Sequence, residues 1–147
     1  MNWKELFLAA QGRAGRQAFV IGAAALIVAG MVLKLIPVLG PLAGLALIYP
    51  WTCLLVKRLH DFGRSGWLVL IPAVPTAVAS VLALLTALSV AAAGTMSAAL
   101  AGAGLALIVS AAAMLVSLAF LVWAALKPGD EQTNRFGPPA PALALTV

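Results

Sequence analysis

The only histidine of the chain, His60, stands directly before Asp61 in the stretch KRLHDFGRSGW at 57–67, with Lys57, Arg58 and Arg64 around them. Histidine and carboxylate together are the parts of general acid–base chemistry, which requires both groups to converge on one proton. Adjacent residues on a helix point about 100° apart, so His60 and Asp61 make a poor catalytic pair and no enzymatic activity is expected. Charge pairing is the better-supported chemistry. If the helix continues through KRLHD, Lys57 and Asp61 are four apart and Arg58 and Asp61 three apart, spacings at which a carboxylate reaches a cation.

Two further motifs carry matching groups: GRAGRQAF at 12–19 supplies Arg13 and Arg16, and KPGDEQTNRFGP at 127–138 supplies Asp130, Glu131, Asn134 and Arg135. Arginine's planar fork binds a carboxylate in two places, and the same fork binds phosphate. The expected site is therefore a polar cap or ligand-binding cluster of Arg13, Arg16, Lys57, Arg58, His60, Asp61, Arg64, Asn134 and Arg135. Within it Asp61 is expected to be held by Arg13, Arg16 or Arg135, with its neighbours Lys57, Arg58 and Arg64 contributing less.

Other chemistries find no support. One histidine cannot build a multi-histidine metal site, and neither a phosphate-cradling GxxxxGK nor a GxSxG occurs, so neither metal nor cofactor is expected. Cys53 has no partner for a disulfide and reads as a small packing residue. The net charge of +5 and pI near 10.2 do not point to nucleic acid, because the basic residues lack interleaved exposed aromatics of the kind that stack bases.

The elements that must position these motifs are apolar. The 147 residues are 64% hydrophobic and 9% charged, against roughly 25% charged in a soluble domain. Residues 17–33, 35–56 and 65–126 contain no Asp, Glu, Lys, Arg or His. The first two runs each suit one crossing of a hydrocarbon core about 30 Å thick. The third would be a helix of about 90 Å, so it must turn back, and AAAGTMSAALAGAG at 91–104 is the place where glycines and small polar residues break the Leu/Val pattern. The expected fold is an all-α membrane protein of four transmembrane helices in two hairpins. It is a single membrane domain over 1–139, with spans at about 17–36, 40–58, 66–90 and 103–126, the motif segment 127–138 and a disordered tail 140–147. The first apolar run leads into a second span, so no signal-peptide cleavage is expected.

Before the first span, Asn2 and Glu5 have capping-box spacing, and Trp3, Leu6, Phe7 and Ala10 recur at helical intervals. A short interfacial helix over about 2–11, ended by Gly12, is expected on the inner leaflet. In the third span Thr76, Ser80, Ala83 and Ala87 form a small face, matched in the fourth by Ala106, Ser110, Ala113 and Ser117, and these two faces are expected to pack antiparallel. Pro50, Pro72 and Pro75 should kink or loosen their helices.

Four spans put the N-terminal segment, the 57–67 loop and the tail on one side. Eight of the nine Lys and Arg lie there, with Lys34 alone near the other face. Short loops rich in Lys and Arg stay cytoplasmic, so both termini are expected inside. Trp3, Trp51, Trp67 and Trp123 fall close to the same face, as interface anchors do.

The three motifs taken together, in order over about 12–139, resemble the YhaH-type family of small bacterial inner-membrane proteins, a family of unknown function. The resemblance implies a bacterial plasma membrane and no activity. Members commonly have a shorter apolar stretch between the central motif and the Pro-Gly of the tail than this chain has. The functional expectation is a non-enzymatic membrane module whose cap is structural or docks a membrane-protein partner or a second copy. The alternatives are binding of an anionic lipid headgroup or cytoplasmic phosphate compound by the arginine cluster, and a small-solute transporter or channel. Transport has little to work with, because the spans lack ionisable groups apart from Lys34 at an end.

Overall fold

The computed structural model describes residues 3–36, 39–93 and 96–140. Its elements are α1 (Trp3–Leu8), α2 (Arg16–Lys34), α3 (Leu39–Asp61), a 3-10 turn (Gly66–Val69), α4 (Leu70–Ala93) and α5 (Met96–Leu126). The described residues are helical apart from loops and one isolated bridge, Asn134 to Gly137. Among the described residues three stretches are long and apolar enough to cross a membrane: Arg16–Lys34, Gly66–Ala92 and Gly102–Leu126. Much of their Leu, Ile and Val faces outward, as with Val28, Leu84 and Ile108, far more apolar surface than a water-soluble monomer exposes. Asn2 of the expected capping box, parts of both expected turns (37–38 and 94–95) and tail residues 141–147 lie outside the described residues.

One compact unit comprises Met1–Val69 with Ala124–Val147. Here α2 packs on α3, and α1 packs on α3. Gly22 permits the close approach, since a Cβ there would come within 3.1 Å of Leu54 Cδ1 and 3.3 Å of Leu6 Cδ2. Leu6 and Leu54 fill that space and are buried. Helix α1 is shorter than the expected 2–11. Two of its last four carbonyls take side-chain donors from α3: Tyr49 Oη donates to Leu8 O at 2.8 Å and Lys57 Nζ donates to Glu5 O. Such donors satisfy helix-end carbonyls without further helical turns.

Helix α3 continues through KRLHD to Asp61, and its end is written in HDFGR. Gly63, at φ +70°, adopts the left-handed conformation that closes a Schellman cap. Gly63 N donates to His60 O at 3.2 Å and Arg64 N to Leu59 O at 2.9 Å. Pro50 lies inside α3, and Cys53 is buried as a free thiol.

The second unit is Leu70–Trp123. Thr76 and Ser117 hydroxyls meet at 3.3 Å, and Thr86 Oγ1 lies 3.4 Å from Gly102 O, so α4 and α5 run antiparallel over this length. On α5 the shielded positions include the expected Ala106, Ser110, Ala113 and Ser117. On α4 they are Pro72, Pro75, Ala79, Leu82 and Thr86, whereas Thr76, Ser80, Ala83 and Ala87 are not shielded to the same degree. The α4 stripe is thus rotated by about one residue, roughly 100°. Thr76 and Ser80 return their protons to the carbonyls of Pro72 and Thr76 at 2.7 and 2.8 Å, so burial against the neighbouring helix is not required of them, although Thr76 still meets Ser117. Helix α5 starts at Met96, ahead of its membrane-length apolar stretch Gly102–Leu126, because alanine, the strongest helix former, carries it through the small-residue segment.

Candidate functional site

The three charged motifs meet around the C-terminal end of α3. Asp61 lies at the centre, 3% exposed. Arg13 Nε donates to its Oδ1 at 3.2 Å and Arg58 Nη1 to its Oδ2 at 2.5 Å. Both arginines are buried, Arg58 fully and Arg13 to 5% exposure.

Arg13 comes from the loop between α1 and α2. Its Nη1 donates to Gln132 O at 2.8 Å and Gly137 O at 3.4 Å. Its Nη2 donates to Asp61 O at 2.9 Å and to Asp130 O. A guanidinium has five N–H donors, and with the Asp61 carboxylate all five of Arg13 have acceptors. Asp61 O also accepts Asp130 N at 2.7 Å. Arg13 therefore caps α3, where exposed carbonyls and the negative end of the helix dipole favour a cation.

Arg58 does the same for α5. Its Nε donates to Ala124 O at 2.8 Å, its Nη2 to Lys127 O, and its Nη1 also reaches Ala14 O at 3.4 Å. The guanidinium lies 5.5 Å from the Phe62 ring centre and 6.0 Å from that of Phe19, within cation–π range. One carboxylate thus joins two arginines, each holding a different helix end. Ala14 N, donating to Lys57 O at 3.1 Å, ties the first motif to α3 through backbone alone.

The tail closes over Asp61 at Gly129, where any Cβ would collide with the Asp61 carboxylate. Asn134 fastens it: Nδ2 donates to His60 O at 3.0 Å and to Asp130 Oδ2 at 2.8 Å, while Oδ1 accepts Phe136 N at 2.9 Å. His60 stacks on Phe136, with centroids 3.7 Å apart and rings 7° from parallel. His60 Nδ1 is buried without a partner among the described residues. Burial lowers the imidazole from its usual 6.5, Gly12's backbone opposes this, and Arg135 adds to it. Burial pushes the Asp61 carboxyl up, while Arg58 and Arg13 pull it back and Asp130 pushes it further up. Permanently charged forks on both oxygens favour its charged form against that burial.

The expected residues divide. Arg13, Arg58, Asp61 and Asn134 form the clamp, and His60 supports its edge. Lys57 is buried too, but its ammonium turns to α1. Arg16 is the exposed first residue of α2, and Arg64 is exposed beyond the α3 cap. Arg135 is exposed, donating to Gly63 O at 3.3 Å and lying over the Phe136 ring at 4.7 Å. Asp61 is therefore held by one arginine from another motif and, at the shorter distance, by its own neighbour Arg58. The expected ranking undervalued the i,i+3 pair. Asp130 spends its carboxylate on Asn134, and Glu131 is exposed. Sequence reasoning missed Gly129 and Tyr49; the Pro-Gly pair after Lys127 was the available signal for the first. Of the tryptophans, Trp67 is 78% exposed, Trp123 is 38% exposed beside Phe120, and Trp51 is half-buried on α3. Trp3 begins α1.

Residues 7–138, which contain every member of the clamp, match the DUF805 family of proteins of unknown function. The chain belongs to DUF805. That match spans all three motifs of this DUF805 chain, so the family covers the clamp as well as helices α2 to α5. No curated protein and no solved structure matches it.

Proposed function

We propose that this protein is a non-enzymatic integral module of the bacterial plasma membrane. It has four spans in two hairpins, with both termini and the 57–67 loop in the cytoplasm, and a structural cytoplasmic cap whose rim is open to a membrane-protein partner or a second copy. Helix α3 supplies the fourth span, since residues 39–56 carry no charged side chain. The saturation of Arg13 carries the reading: a fork whose five donors are spent on the protein's own acceptors has none left for a substrate. Asp61 is similarly occupied, and His60 is stacked with Nδ1 sealed in, which leaves no acid–base pair to move a proton. The exposed Arg16, Arg64 and Arg135 suit anionic headgroups, at about 1 kcal/mol each near the surface. The motifs that resemble the YhaH-type proteins support a bacterial inner membrane.

Single cysteines in a Cys53→Ala background test the topology. Arg64→Cys is expected to resist a membrane-impermeant maleimide in intact cells and to react after permeabilisation, whereas Ala98→Cys reacts in intact cells. Labelling of Arg64→Cys from outside would reverse the orientation and sink the cytoplasmic cap.

A further inference from the structure

Beside the clamp, the first unit holds an open cleft of about 300 Å³ with Lys57 and Arg13 at its polar side, at the lower limit of small-molecule sites. The two cations differ. Arg13 has a carboxylate partner and no free donor. Lys57 is 3% exposed, and its ammonium donates to one carbonyl, Glu5 O. An ammonium has three donors, so Lys57 retains capacity for two more bonds. Among the described residues no carboxylate stands within ion-pair distance of it. A buried ammonium that the exposed Glu5 carboxylate favours only from beyond ion-pair distance is incompletely compensated, and an anion entering the cleft relieves it.

We propose that this cleft binds a phosphodiester monoanion through Lys57. One positive charge without an ion-pair partner calls for one negative charge, and the two non-bridging oxygens of a phosphodiester can accept the two remaining Lys57 protons. The exposed Gln11 amide at the cleft's edge adds a donor. Ala9, Phe136 and Pro138 line its apolar side, which suits a phosphate flanked by carbon rather than inorganic phosphate. Among the described residues, the exposed Glu5 carboxylate is the one like charge that lines the cleft. This deepens the headgroup-or-phosphate reading by moving the site from the saturated arginines to Lys57, and it does not depend on the membrane orientation.

The test uses the full chain in phosphatidylcholine nanodiscs, titrated with glycerophosphoglycerol as the soluble phosphodiester and inorganic phosphate as the control. In a parallel arm, native mass spectrometry compares retention of phosphatidylglycerol and phosphatidylcholine in detergent. Lys57→Gln is expected to weaken phosphodiester binding about tenfold or more, about 1.4 kcal/mol. Because Lys57 also anchors α1, Ala9→Trp supplies a variant that fills the cleft without touching that bond and is expected to abolish binding at an unchanged melting temperature. Glu5→Gln is expected to tighten binding, which a merely structural role for Lys57 would not produce. Binding of glycerophosphoglycerol supports a soluble source, and retention of phosphatidylglycerol alone supports a lipid source. Wild-type chain that binds neither probe, or Ala9→Trp that binds as wild type does, overturns the proposal.

Discussion

Asp61 is the residue on which the cap turns, because removing it leaves two buried guanidiniums facing each other. Asp61→Asn is expected to destabilise the protein by about 3–5 kcal/mol, read as a lowered melting temperature in detergent; a loss under about 1 kcal/mol would mean that the pairs behave as exposed ones. At Gly129 an added methyl meets a carboxylate that cannot swing away, since Arg13 and Arg58 hold both oxygens. Gly129→Ala should therefore cost about 1–3 kcal/mol, as overpacking does, and an unchanged melting temperature would contradict the tail's closure. His60 sets a pH dependence. Its folded pKa is lowered below 6.5 by burial, so the unfolded chain binds the proton more readily, and the stabilisation present above about pH 6.5 is lost as pH falls below it. Melting temperature is expected to drop between about pH 7.5 and 5.5, and His60→Phe, which keeps the stack on Phe136, should flatten that slope. The Arg58–Asp61 contact was legible as an i,i+3 spacing. That Arg13 rather than Arg16 reaches Asp61 was not, because the remaining acceptors of Arg13 are carbonyls, which every residue carries.

Among the elements, α3 organises its unit: α1 docks on its flank and its last carbonyls receive the loop and the tail. The α3 stop was readable in retrospect from Gly63, two residues after Asp61. The docking of α1 was hidden, because Tyr49 reads as one more apolar position in a span until its hydroxyl is seen on Leu8 O. Tyr49→Phe should weaken that docking by about 0.5–1.5 kcal/mol, measurable as faster hydrogen exchange across α1, with exchange in α2 unchanged. Equal acceleration in both helices would show that α1 does not open on its own. The α4 stripe shows the limit of pattern reading in an alanine-rich helix. Thr76 and Ser80 return their hydroxyl protons to their own helix, so on α4 the small polar residues do not mark the centre of the packed face as they do on α5.

At the scale of the molecule, apolar run length made the helices legible, because a charge-free run of a given length either spans or must turn back. The gathering of the three motifs around Asp61 was legible from their charges; that most of the arginine donors go to backbone carbonyls at helix ends and in the tail was not. Helix ends need capping and buried charges need partners, and in this chain the same side chains answer both needs: Arg13 for α3, Arg58 for α5 and Asp61 between them. If that is the organising device, Arg13 and Asp61 must be energetically coupled. The direct measurement is a double-mutant cycle of Arg13→Gln and Asp61→Asn on the full chain in detergent, read by thermal unfolding. A coupling of about 1–3 kcal/mol is predicted, whereas effects that add to within about 0.5 kcal/mol would contradict a shared clamp.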